Sequence, residues 1–161
     1  AGSEFTIRIP FKIADITPDI EEEKEEKENA TTDIRGVRLL LAEDNKLNAE
    51  IVETILKDEG AEVKVACDGQ QVVNEFANSA EGSYDAILMD VMMPNLDGIS
   101  AAKRIRAMDR KDAVTIPIIA MTANAFEEDA KECINAGMNA HMAKPLDMDV
   151  LIDMIAGYCN K

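Results

Sequence analysis

Five polar residues of this sequence directly follow apolar runs, and their types could together move a phosphoryl group. The runs end at Glu43-Asp44, at Asp90, at Thr122 and at Lys144-Pro145. Three carboxylates placed close together repel one another, which raises their pKa values unless a cation neutralises them. An all-oxygen cluster suits Mg²⁺, which retains several waters and accepts phosphate oxygens as further ligands. With a lysine and a hydroxyl as donors to the phosphoryl oxygens, these residue types indicate phosphoryl transfer to a carboxylate.

The spacing of these residues follows from two alternating periodicities after Gly36. Apolar runs predict strands at 37–42, 61–66, 84–89, 115–121 and 140–143. Helical periodicity predicts helices at 46–59, 69–79, 98–107, 126–136 and 147–159. Strands and helices in alternation form a parallel sheet with helices on both faces, and the active residues of such sheets lie at the carboxyl ends of the strands. We therefore expect the five polar residues to meet at one edge of a doubly wound α/β sheet.

Capping residues support several of these boundaries. Asp44 or Asn45, Asp68 and Asp97 stand where a side-chain oxygen could cap the first turn of a helix. Gly60 and Gly137 stand where the end of a helix favours glycine.

Composition separates a tail at 1–35 from a domain at 36–161. Residues 5–13, FTIRIPFKI, alternate apolar and polar residues as a half-buried strand does. Residues 19–28, DIEEEKEEKE, carry seven acids and two lysines, so we expect a solvated linker there.

Charge and cysteine usage exclude several classes of protein. A net charge of −15 argues against nucleic-acid binding through phosphate contacts, which need clustered Lys and Arg. No apolar run approaches the roughly 20 residues of a membrane span, so we expect no direct membrane contact. Cys67, Cys133 and Cys159 form no CxxC pair and no zinc spacing, which favours reduced, buried, structural thiols in a cytoplasm.

Four motifs, in order, resemble the receiver domain of two-component phosphorelays. They are the Glu43-Asp44-Asn45 turn, LMDVMMPNLDG, IIAMTANA and GMNAHMAKPL, and the resemblance covers about residues 36–160. It implies a flavodoxin-like, five-stranded parallel sheet in the order 2-1-3-4-5. It also implies that Asp90 is the phosphoacceptor and that Mg²⁺ is bound by Glu43, Asp44, Asp90 and the backbone carbonyl of Met92.

The resemblance assigns the remaining site residues as well. Thr122 would be the switch hydroxyl, and Lys144, joined to Pro145 by a cis peptide bond, would contact the phosphoryl group. His141 occupies the position where receivers usually carry Tyr or Phe, so it is interpreted as a second switch residue. Met92 and Asn124 would tune hydrolysis of the phosphate. Because Met92 cannot orient a water, we expect a persistent phosphate.

The resemblance also implies partners and a parent protein. FTIRIPFKI resembles the closing strand of a histidine-kinase ATP-binding domain, which predicts a receiver from the C-terminus of a cytoplasmic or membrane-anchored hybrid histidine kinase. Its phosphodonor would be a kinase or a phosphotransfer domain that bears a phosphohistidine. We expect a monomer or a weak dimer, which catalyses its own aspartyl phosphorylation and dephosphorylation. Kinase activity is not expected, since a glycine-rich nucleotide loop is absent from the sequence.

Two other classes of protein fit the sequence less well. A phosphatase that forms an aspartyl-phosphate would want a second acid two residues after the nucleophile, where Met92 stands. A flavin-binding module of similar architecture would want a loop rich in Gly, Ser or Thr after the first strand. The sequence there, AEDNKLN, would repel a phosphate unless a metal intervened.

Overall fold

The computed structural model describes residues 33–123 and 127–159, which contain five strands and six helices, with one helix after each strand except for two after β3. The predicted strand at 5–13 and the predicted linker at 19–28 lie outside these residues. The strands are β1 Arg38–Ala42, β2 Glu62–Ala66, β3 Ala86–Asp90, β4 Ile118–Thr122 and β5 Ala140–Ala143. The helices are α1 Lys46–Asp58, α2 Gly69–Asn78, α3 Gly98–Arg106, α4 Lys111–Thr115, α5 Glu127–Asn135 and α6 Met148–Cys159.

The strands form one parallel sheet in the order β2-β1-β3-β4-β5, as the sequence predicts. Alternate residues of the central strands point to opposite faces and build two apolar cores. On one face Leu40, Ile87 and Ile118 lie in a core with α2 and α3. On the other face Leu39, Leu88 and Ile119 lie in a core with α1 and α6. Since both faces are covered, β3 and β4 are buried along their whole length, which explains their unbroken apolar runs.

The short helix α4 was not predicted, and the predicted strand 115–121 begins too early. Thr115 ends α4, and β4 starts only at Ile118, after a proline that has no N–H for the sheet. Arg110 holds α4 in place because it bonds both carboxylate oxygens of Asp112 and lies over the ring of Phe76, 4.1 Å from its centroid. This anchor depends on contacts with α2, so local periodicity could not indicate it.

The third strand also differs at its ends from the predicted 84–89. It begins at Ala86. Just before it, Tyr84 donates to Glu75, and Asp85 forms a bidentate ion pair with Arg38. It extends to Asp90, so the acid is the last residue of the strand.

The predicted caps are confirmed. Asn45, Asp68 and Asp97 each accept hydrogen bonds from backbone N–H groups in the first turn of a helix. Gly60 and Gly137 follow α1 and α5 with φ of 90° and 91°, a conformation that side chains with a Cβ rarely adopt.

Ile34, which the sequence groups with the tail, is 1% exposed in the core beneath α1 and α6.

The prediction of buried cysteines holds for Cys133 but is wrong for Cys67, which is exposed in the turn after β2. In the part of the chain that the structure describes, no helix has the length and apolar character needed to cross a bilayer.

Candidate active site

The predicted polar residues lie at the carboxyl edge of the sheet, where β1 and β3 are neighbours. This is the point at which the strand order reverses, and α/β sheets of this type bind ligands there. Glu43 follows β1, Asp90 ends β3 and Thr122 ends β4. These three polar side chains are buried, whereas Asp44 is exposed beside them.

Lys144 connects two of the carboxylates. Its Nζ donates to Glu43 Oε2 and to Asp90 Oδ2, each at 2.6 Å. The loop after β5 brings the lysine to this position, since its backbone N–H donates to the Thr122 carbonyl at 2.7 Å. The peptide bond between Lys144 and Pro145 is cis, as the resemblance implied.

The charges of this group depend on one another. Burial raises the pKa of Asp90 above its ordinary value, and the hydrogen bond from Lys144 offsets only part of that effect. Burial by itself would lower the pKa of Lys144, but hydrogen bonds to Asp90 and Glu43 outweigh it and raise this pKa. The ammonium ion is therefore held in its charged form by two buried carboxylates, and Asp90 is a carboxylate in a costly environment.

The carboxylates also have the composition of a magnesium site. One oxygen from each of Glu43, Asp44 and Asp90 lies within 4.8 Å of the other two. All three donors are hard oxygens, and one of them is exposed, so a cation that keeps several waters would fit. These residues suit Mg²⁺ and offer no nitrogen or sulfur ligand of the kind that zinc prefers.

The loop between β3 and α3 contacts Asp90. The Met92 N–H donates to Asp90 Oδ1 at 3.0 Å, so both oxygens of Asp90 have a donor. The Met92 side chain points away and is 72% exposed. A Cβ at Gly98 would lie 2.2 Å from the Asp90 carbonyl oxygen, so only glycine lets α3 begin this close to the acid.

The predicted switch residues are placed differently from one another. Thr122 is buried, whereas His141 is exposed on β5, which is an edge strand. In the register of the two strands, His141 pairs with Ala120 and Thr122 pairs with Ala143. Asn124, a predicted tuning residue, lies outside the described residues.

Two polar side chains, one that bonds a site residue and one in the loop after β3, were missed from the sequence. Asn48 in α1 donates to Glu43 Oε1 at 3.1 Å, so both oxygens of Glu43 are also engaged. Asn95 in the loop after β3 donates to Asp68 at 3.0 Å. The only sequence signal for Asn48 was its place in the first turn of the helix that follows Glu43. Asp68 was recognised only as a helix cap, because its second bond spans 27 residues.

Comparisons with known proteins agree with this geometry. The model of the response regulator receiver domain family matches residues 39–156. The osmosensing histidine protein kinase SLN1 of Saccharomyces cerevisiae is 37% identical over 140 residues, which cover 84% of this chain and 11% of SLN1. The chain therefore spans about a tenth of the length of this relative.

Solved structures show the same architecture. The receiver domain of a sensor histidine kinase from Pseudomonas aeruginosa, with magnesium coordinated in its active-site cleft, is 39% identical with a TM-score of 0.70 and covers 78% of this chain and 99% of its own. The receiver domain of Ssk1 from Saccharomyces cerevisiae, solved with the histidine phosphotransfer protein Ypd1, is 28% identical with a TM-score of 0.69 and covers 79% of this chain and 91% of that one. The chain thus belongs to the family of response regulator receiver domains.

Proposed function

We propose that this domain accepts a phosphoryl group from a phosphohistidine donor onto Asp90. One observation carries the proposal: Lys144 bridges the buried carboxylates of Asp90 and Glu43, with Asp44 adjacent. A structural carboxylate at a strand end has no need of a second acid and a shared cation. A nucleophile that must remain ionised while it is mostly buried needs both.

The transfer follows from the contacts of Asp90. A carboxylate oxygen attacks phosphorus, the O–P bond forms, and the N–P bond breaks with its electron pair left on the imidazole. The ammonium of Lys144, which is already hydrogen-bonded to Asp90, can then donate to a phosphoryl oxygen. The Met92 N–H and the Thr122 hydroxyl are further donors at the same edge of the sheet.

Glu43, Asp44 and Asp90 would hold Mg²⁺, together with the Met92 carbonyl if the resemblance extends to the backbone. The ion, when bound, neutralises the carboxylates and the charge that develops on the transferred phosphoryl oxygens. With the acids neutralised in this way, Lys144 would be free to turn from Glu43 and Asp90 to the phosphoryl group.

Phosphorylation with a small-molecule donor tests the assignment. With Mg²⁺ and acetyl phosphate, the chain should gain one acid-stable and base-labile phosphoryl group, detected by intact mass. Asp90→Asn should abolish it, because an amide is not a competent nucleophile, whereas Asp97→Asn in the cap of α3 should retain it. Phosphate on His141, or on the Asp90→Asn protein, would overturn the proposal.

The lifetime of the phosphate depends on the groups that can orient a water molecule. Met92 offers an exposed thioether, which is a poor hydrogen-bonding partner, and this supports slow hydrolysis. Met92→Asn should shorten the lifetime, which can be measured as loss of phosphate after the donor is removed. Asn124 is proposed to tune the same hydrolysis.

The donor is proposed to dock on α1 beside the site. Leu47 and Ile51 in this helix are 64% and 49% exposed. A cavity of about 200 Å³ lies next to Ile51 and reaches Glu43 and Lys144. Ile51→Asp should slow transfer from a phosphorylated histidine phosphotransfer protein and leave labelling by acetyl phosphate unchanged. Equal loss in both reactions would place the effect at Asp90 and not at docking.

Phosphorylation is proposed to switch the surface near β5. Thr122 would move toward the phosphoryl group and open space for His141, which lies opposite Ala120 in the strand register. We further propose that residues 1–32 form a tail, because Ile34 already lies in the core of the domain, and that the domain belongs to a cytoplasmic or membrane-anchored hybrid kinase. The match to about a tenth of a histidine kinase supports this origin.

A further inference from the structure

The loop that carries Met92 is held by a second turn of the protein, the one between β2 and α2. Asn95 Nδ2 donates to Asp68 Oδ2 at 3.0 Å, and the Gly69 N–H donates to the Leu96 carbonyl at 3.1 Å. These two bonds join adjacent residues of one loop to adjacent residues of the other. Together they form a latch, defined here as Asp68 and Gly69 on one side and Asn95 and Leu96 on the other.

The latch is built with little tolerance. A Cβ at Gly69 would lie 2.2 Å from the Leu96 carbonyl oxygen, so any other residue would push the two turns apart. Leu96 itself is buried in the core under α2 and α3. Asn95 has a φ of 64°, a left-handed conformation that Asn adopts more readily than most residues with a side chain. The left-handed backbone at position 95 and the hydrogen bond to Asp68 therefore both favour asparagine.

Asp68 is held in position from the other direction. It is buried, and its Oδ1 caps α2 by accepting from the Gln71 N–H at 2.7 Å. Because one carboxylate serves both the helix cap and Asn95, the position of the loop is tied to the start of α2.

The latch and the nucleophile lie at opposite ends of a short segment. At one end the Gly98 N–H donates to the Val91 carbonyl at 3.0 Å, and the Met92 N–H donates to Asp90. At the other end Asn95 and Leu96 are fixed to the β2–α2 turn. Met92, Met93 and Pro94 span the distance between these two attachments, so displacement of Asn95 displaces the Met92 peptide.

We propose that Asn95 and Asp68 are positioning residues of the acceptor site, which hold the Met92 peptide against Asp90. The inference rests on the proposed function, because the Met92 peptide matters only if Asp90 accepts phosphate. Loss of the latch should loosen the Met92 N–H and weaken Mg²⁺ binding by about tenfold, the usual effect of removing a partner of a ligand.

Three variants test the proposal. Asn95→Gly removes the side-chain bond and keeps the left-handed backbone. Asn95→Asp places a carboxylate against Asp68, and like charges repel. Combining Asn95→Asp with Asp68→Asn restores the bond with donor and acceptor exchanged, because the new amide can cap α2 through its oxygen and donate to position 95 through its nitrogen. Asn74→Ala is the matched control, because it removes an exposed side-chain hydrogen bond that Asn74 accepts from Gln70 in α2.

The first measurement is amide hydrogen exchange in the metal-free protein, so it does not depend on phosphorylation. Exchange at Met92 should accelerate in Asn95→Gly and in Asn95→Asp, while the core amide of Leu88 changes only as global stability does. The double variant should restore the wild-type rate, and Asn74→Ala should leave it unchanged. Mg²⁺ affinity, measured by titration calorimetry, should follow the same order.

Unchanged exchange at Met92 in Asn95→Gly would overturn the proposal, and this variant alone decides if the double variant does not fold. A fall in melting temperature without a local change at Met92 would also overturn it, since Asn95 would then serve only stability. If Asp90→Asn were still phosphorylated while Met92 responded to the latch, the proposed function would fail, and with it the role of the latch at an acceptor site, whereas the hold of the latch on the Met92 peptide would stand.

Discussion

The two edges of the sheet each contain a partly buried cation, and they satisfy it in opposite ways. At the carboxyl edge Lys144 lies between two carboxylates. A metal ion could replace the lysine as their partner, and a phosphoryl group could replace the carboxylates as partner of the lysine. At the amino edge Arg106, at the end of α3, donates to the carbonyls of Ala113, Ile116 and Gly137 and to the side-chain oxygen of Asn139. These acceptors are neutral and do not titrate near neutral pH.

The difference shows how the domain separates stability from chemistry. Asn139 accepts from Arg106 and also from the Ile118 N–H, so the arginine joins α3 to the starts of β4 and β5. Burial lowers the pKa of Arg106, but a guanidinium remains protonated in proteins. The amino edge is therefore a fixed frame. The carboxyl edge keeps charges whose partners can change, as a site for phosphoryl transfer requires.

Breaking the fixed frame should cause the largest loss of stability. Arg106→Met leaves the carbonyls of Ala113, Ile116 and Gly137 without this donor and removes one of the two bonds to Asn139, and we expect a loss of about 3 kcal/mol in the free energy of unfolding. Urea denaturation measures it, with Arg104→Met, which removes a single exposed bond to Gln70, as the control. The folded fraction should still be phosphorylated by acetyl phosphate. A specific loss of labelling would show that the two edges are not separate.

Removal of the Lys144 ammonium should cause a smaller loss of stability, and this loss should depend on whether Mg²⁺ is present. Lys144→Met leaves Asp90 and Glu43 buried without a positive charge, at a cost of about 2 kcal/mol at pH 7 without Mg²⁺. Saturating Mg²⁺ should raise the melting temperature of this variant more than that of the wild type, because the ion replaces the ammonium. Calorimetry with and without Mg²⁺ tests this, with Lys57→Met in the exposed Lys57–Glu53 pair as the control. Equal shifts in both proteins would contradict it.

An ion pair in α4 should contribute to stability in a defined range of pH. The Arg110 side chain lowers the pKa of Asp112 to about 2. Because the folded pKa is depressed, the stabilisation is present above the unfolded value of about 4 and is lost as the pH falls from about 4 to about 2. Solvent screens part of the pair, so we expect about 1 kcal/mol.

Asp112→Asn should reduce the loss of stability in this range of pH by about 1 kcal/mol, measured by urea titration at each pH. Asp68, Asp85 and Asp97, whose pKa values are also lowered, account for the remaining loss. Glu53→Gln in the exposed pair on α1 is the control and should change it little. Equal losses of stability between pH 4 and pH 2 in the wild type and in Asp112→Asn would contradict the prediction.

Removal of residues 1–32 should have the smallest effect. The acidic stretch 19–28 has a single apolar residue, so it offers no face that could dock. We expect the melting temperature to change by less than about 2 °C, since surface changes are usually within about 0.5 kcal/mol. Ile34→Ala, in contrast, should cost about 2 kcal/mol, because Ile34 is in the core. A large loss on truncation would show that the strand-like segment 5–13 packs on the domain.

The sequence by itself determined the sheet, its order by resemblance, and the group of acids with Lys144 and Thr122. Buried strands and helices have distinct periods, and every polar residue of the site follows directly on an apolar run, so both signals are local. The caps at Asn45, Asp68 and Asp97 were also local, because each bond spans only two or three residues.

Tertiary structure alone decided the features that join distant segments. α4 depends on Arg110 reaching Phe76, and the start of β3 depends on Arg38 reaching Asp85. No local sequence pattern predicts the hydrogen bond from Asn95 to Asp68. The same holds for the hydrogen bonds that Arg106 donates to Ala113 and Asn139. Such contacts depend on how the elements pack. Asn95 and Asp68 are 27 residues apart in the sequence, and they meet only once the sheet has brought the β3–α3 loop next to the β2–α2 turn.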